Sequence, residues 1–138
     1  MNTSAVGFWG GVVGGLIKLL LDQVAYGIKI STINVIGEFA KFIGNTNAFL
    51  VWILYIVVTG IVGFLIGQFI PRDLLKPYLT SGLVLGGGLW LLMNIFLQFS
   101  TVVKPTWSMG AGGLIVNLLT HLILGIIITY AIARFSQE

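Results

Sequence analysis

Five residues carry chemistry where their neighbours carry none: Lys18, Asp22, Asn94, Asn117 and His121. Lys18 and Asp22 stand four apart inside "GGVVGGLIKLLLDQ". Asn117 and His121 stand four apart inside "GLIVNLLTHLILG", and Asn94 lies in "GLWLLMNIF". On a helix, residues four apart share a face. Asp22 can hold a proton or a cation, Lys18 an anion or an anionic headgroup, and a histidine such as His121 can titrate near neutral pH. An ionisable group at membrane depth is by default a functional hypothesis. The same residues can also serve structure alone. A Lys–Asp pair four apart neutralises itself and holds helix register, and asparagines bond neighbouring helices for about 1 kcal/mol each.

Other chemistry lacks its residues. The chain has no cysteine, which removes disulfides, thiol catalysis and thiolate metal sites. His121 is the only histidine, so a haem or metal ion would need its second ligand from a symmetric copy. No Walker loop, nucleophile elbow or HExxH is present. "LGGGLW" at 85–90 is glycine-rich but sits inside an apolar run, where helix packing explains it better than phosphate binding. No enzyme activity, cofactor or metal is expected. Seven cations scattered through the chain, net +3, form no basic patch, so nucleic acid is not an expected partner.

The elements that must position these residues follow from composition. Hydrophobic residues make up 57% of the 138 and charged ones 8%, too little polar surface to face water all round. Four apolar runs, at 5–28, 48–70, 79–99 and 110–134, approach or exceed the roughly 20 residues a helix needs to cross hydrocarbon. None alternates in polarity as barrel strands do. The expectation is one all-α membrane domain over 1–138, a bundle of four transmembrane helices in contact with the lipid bilayer. The N-terminus lacks the positive n-region of a signal peptide, so the first span is expected to be retained.

The links differ in kind. "PRDLLKPY" and "STVVKPTWSM" carry prolines and charges that turn the chain back as antiparallel hairpins. In the first link, "ISTINVIGEFAKFIGN", Asn34, Glu38, Lys41 and Asn45 recur at helical spacing. They predict a short amphipathic helix, lying in the interface or packed on the bundle. Arg72, Lys76 and Arg134 on the side of the termini balance Lys29, Lys41 and Lys104 on the other, so the positive-inside rule has no excess to act on. The compact charge of the second link argues for cytoplasmic termini.

Small residues mark where membrane helices approach one another. Gly11 and Gly15 share the face of Lys18 and Asp22. Gly60, Gly63 and Gly67 line one face of the second span, Gly82 and Gly86 share a face with Asn94, and Gly125 shares one with His121. Counting residues along antiparallel spans places Asp22, Asn94 and Asn117 at one level, with Lys18 and His121 about one turn deeper. A polar layer inside the bundle is therefore expected. "GGLIKLLLD" at 14–22 also aligns with "GGGLWLLMN" at 86–94, which suggests a two-helix unit used twice about an axis along the membrane normal.

The segments "GFWGGVVGGLIKLLLDQVAYGIKIS", "SGLVLGGGLWLLMNIF" and "THLILGIIITYAIARF" resemble small uncharacterised four-span membrane proteins of spore-forming Firmicutes, the YqhR-like group. That resemblance implies a bacterial plasma membrane and no particular chemistry. Two functions are then expected to compete. One is an accessory or assembly subunit that docks a larger membrane partner through its glycine-rich faces. The other is a small homo-oligomeric channel or carrier that passes an ion or solute along the Lys/Asp/Asn/His layer.

Overall fold

The computed structural model describes residues 1–137. Four long helices carry the apolar runs: α1 (Thr3–Gly27), α3 (Ala48–Phe69), α5 (Tyr78–Gln98) and α6 (Ala111–Phe135). All four are long and apolar enough to cross a membrane. Two shorter helices, α2 (Val35–Ile43) and α4 (Arg72–Leu75), occupy the first two links, and a 3₁₀ turn at Thr106–Ser108 occupies the third. The all-α, four-span architecture is the one the sequence predicts, and the helix bounds agree with the apolar runs to within two residues.

Local chemistry sets these bounds. Asn2, Asn34 and Asn47 cap α1, α2 and α3, each side-chain oxygen accepting a backbone N–H from the first turn. Gly44, at φ 67°, closes α2 in the left-handed conformation that glycine adopts without penalty. Pro71 follows α3, and Pro77 and Pro105 precede α5 and the 3₁₀ turn, where a missing N–H costs nothing.

The helices pack in the order α3–α1–α6–α5. Glycine makes both outer seams possible. A Cβ on Gly7 would collide with the carbonyl of Gly63, and one on Gly63 with the carbonyl of Gly7. Along the same α1–α3 seam, Gly11 and Gly15 meet Thr59, and Gly67 meets the carbonyl of Thr3. The α5–α6 seam is built alike: Gly125 lies against the Gly82 carbonyl and Gly86 against the His121 carbonyl. Gly60 packs under the Phe8 ring. All eight glycines singled out for helix packing thus lie where backbone meets backbone or side chain within the chain.

One expectation changes here. The glycine faces are spent on internal seams, so they are not free to dock a larger partner. The two hairpins, α1–α3 and α5–α6, also meet through α1 against α6. The hairpins stand side by side.

On the side of the termini, Arg72 donates from Nε to Ser136 Oγ at 2.8 Å and from Nη2 to the Ser136 carbonyl at 3.0 Å. Ser4 donates to Gln68 Oε1 at 2.7 Å. On the opposite side α2 packs against the bundle by its apolar face. Ile36 joins Leu19 and Val51 in a buried cluster, and Phe39 meets Tyr55 edge-on at 5.4 Å. Phe42 reaches Phe96 of α5 at 6.1 Å. This short helix therefore spans from α3 to α5, two helices that form no seam with each other.

Candidate functional site

The polar residues converge on the half of the bundle nearest α2, and they divide into three arrangements. The first is a charged brace between α1 and α6. Lys18 Nζ donates to Asp22 Oδ2 at 2.6 Å, and the Thr120 hydroxyl donates to the other oxygen, Oδ1, at 2.8 Å. The Lys18 ammonium also stands 5.6 Å from the centroid of the Tyr55 ring, where the face of an aromatic ring attracts a cation. Lys18 and Asp22 are each 1% exposed, and Thr120 is 3% exposed. A charge so deeply buried is tolerated only when it is paired and hydrogen-bonded. Here both carboxylate oxygens and the ammonium have partners.

The second arrangement removes Asn94 from the layer. Its Oδ1 accepts from the Thr106 backbone N–H at 2.6 Å and from the Thr106 hydroxyl at 2.8 Å, while its Nδ2 donates to the Trp90 carbonyl at 2.9 Å. Asn94 thus ties the end of α5 to the third link. It is fully buried, and its hydrogen bonds go to Trp90 and Thr106 rather than to Lys18 or Asp22.

The third lies on the wall of a cavity of about 310 Å³, in the gap that α3 and α5 leave between them beneath α2. Its lining is overwhelmingly apolar, from Val58 and Val62 of α3 to Leu89 and Met93 of α5. Asn117 and His121 of α6 line it together with Tyr55 and Thr59 of α3. His121 Nδ1 lies 2.8 Å from the Asn117 backbone carbonyl. A carbonyl can only accept, so Nδ1 carries the proton and Nε2 is left with the lone pair in the neutral ring. The Thr59 hydroxyl donates to the Ile56 carbonyl at 2.8 Å. The Asn117 carboxamide oxygen is buried and has no hydrogen-bond partner among the described residues. Glu38 and Lys104, both in links, line the cavity as well.

The structure therefore brings Lys18 and Asp22 together, places Asn117 and His121 on a neighbouring cavity wall, and takes Asn94 elsewhere. Sequence reasoning missed Thr120, Tyr55 and Thr59. Thr120 carried a usable signal, since it sits between Asn117 and His121 in an otherwise apolar run. Tyr55 and Thr59 stand four apart on the second span, yet only the fold turns them towards the cavity. Glu38, which the sequence places in the first link, is carried to the cavity by α2.

No protein-family model, curated protein or solved structure matches this chain. Its residues and their geometry are the ground for any reading beyond a four-span membrane protein.

Proposed function

We propose that this membrane protein is a non-enzymatic accessory or assembly subunit of a larger membrane complex. It would reside in a bacterial plasma membrane with both termini cytoplasmic, as the resemblance to the YqhR-like group and the compact charge of the second link suggest. The observation that carries the reading is the closure of the charged brace. Lys18, Asp22 and Thr120 satisfy one another and are buried. A conduction route needs polar groups that a passing ion or solute can reach. Asn94, pinned to Thr106, adds nothing to such a route. Because the glycines are used inside the chain, the partner would be met by other surfaces.

The test joins two measurements on the intact protein. Purified protein in liposomes is assayed for proton, potassium and chloride flux, and protein gently extracted from its own membrane is weighed by native mass spectrometry. The accessory reading expects flux no greater than that of empty liposomes and a complex of fixed stoichiometry with another membrane protein. A homo-oligomer whose flux disappears in a folded Asp22→Asn variant would overturn it and establish the channel or carrier reading.

A further inference from the structure

The geometry points to a ligand site in the cavity between α3 and α5, one that takes a neutral lipid with an apolar tail and a hydroxyl head. Three observations converge on that chemistry, and none depends on the accessory reading.

The first is the space. A cavity of about 310 Å³ lies at the lower end of the range of small-molecule sites, roughly 300–1,000 Å³. Its walls are almost wholly apolar, and α3 and α5 do not pack together to close it. In a bilayer that gap faces hydrocarbon, so an apolar chain can enter sideways without crossing water.

The second is the unmet hydrogen bonding on one wall. Asn117, 3% exposed, lines the cavity with a carboxamide oxygen that has no partner. A buried polar atom left unpaired costs about 1–3 kcal/mol, and native folds usually satisfy such atoms from protein, water or ligand. His121 adds a second open position, because its Nδ1 is committed to the Asn117 carbonyl and its Nε2 is not. Thr59, having spent its proton on Ile56, offers only lone pairs. A ligand hydroxyl suits this wall: it donates to the carboxamide oxygen or the imidazole nitrogen, and it accepts from the carboxamide NH₂.

The third is charge. Lys18 and Asp22 already neutralise each other, and neither lines the cavity. Among the described residues, no charged side chain is hydrogen-bonded to Asn117 or His121. The head that fits is therefore uncharged. Glu38, bonded to Lys41, and Lys104 line the cavity as well, supplied by the links.

The probe is hexadecanol bearing a photoreactive diazirine in its tail, added to the full-length protein in phosphatidylcholine nanodiscs. Cross-linked residues are mapped by mass spectrometry, and unlabelled hexadecanol, hexadecane and hexadecanoate compete. The site expects adducts on α3 and α5 around Val58, Leu89 and Met93, competed by hexadecanol at least tenfold better than by hexadecane or hexadecanoate, about the worth of one buried hydrogen bond. Asn117→Leu should remove most of that preference. Val58→Trp, which fills the space from the α3 side, should abolish labelling, whereas Leu21→Trp on the exposed face of α1 should leave it intact. Adducts spread over the lipid-facing surface, or equal competition by hexadecane, would overturn the proposal in the unmutated protein, whatever the variants do.

Discussion

The carboxylate of Asp22 on α1 accepts the hydroxyl of Thr120 on α6 at 2.8 Å, joining residues 98 apart in the chain. With Lys18 on the opposite oxygen, this contact turns a charge pair within one helix into a brace between the two central helices. Removing one member of a buried pair leaves the other uncompensated and costs about 3–5 kcal/mol. Asp22→Asn and Lys18→Met should each destabilise the bundle on that scale, as measured by unfolding in mixed micelles. Thr120→Val, which removes one hydrogen bond to a charged group, should cost about 1.5–3 kcal/mol.

The glycine seams make a second prediction. Gly7 and Gly63 block each other's Cβ with backbone carbonyls, which cannot move aside as a flexible side chain can. Gly63→Leu should separate α1 from α3 and lower the yield of folded protein sharply. Gly88→Leu is the control, since a Cβ there meets nothing within 4 Å. Thermal stability of the two variants in detergent distinguishes the sites.

Asn94 should behave as a structural pin. Asn94→Leu leaves the Thr106 N–H and hydroxyl without their acceptor and should cost about 1–3 kcal/mol per unsatisfied group. Hydrogen exchange should rise at Thr106–Ser108, with little change at the charged brace.

Asp73 supplies a pH prediction outside the spans. The Lys76 ammonium, bonded to it in the second link, holds its carboxyl below the usual value, with Arg72 adding to the effect. A lowered folded value means that the contribution is fully present above the unfolded value, about 3.9. It is lost as pH falls through the folded value. The carboxyl carbon shift of Asp73 should titrate below that of an unfolded peptide, and Lys76→Ala should return it towards the ordinary value. The pair is exposed, so the effect on overall stability should be slight.

Much of this was legible in the sequence, because lipid imposes simple rules. Apolar length predicts the spans, prolines mark the links between them, and glycine spacing identifies the faces that meet. What spacing does not carry is which helix each face meets. Counting residues puts Asp22, Asn94 and Asn117 at a common depth, yet depth is one coordinate. Asn94 turns to Thr106 of its own link because the 3₁₀ turn folds back over the end of α5. Asp22 finds Thr120, a residue whose hydroxyl is unremarkable in isolation. The cavity was not legible either, because it arises from a seam that α3 and α5 do not form.

The buried Lys18–Asp22 pair, bonded to Thr120, braces α1 against α6. Its most direct test removes both together, as Lys18→Met with Asp22→Leu, and measures unfolding stability and liposome flux beside the wild type and the two single variants. A structural brace predicts that the double variant is far more stable than the sum of the single losses implies, with flux at the level of empty liposomes in every sample. A double variant that folds as well as wild type but has lost a flux that wild type shows would contradict the account.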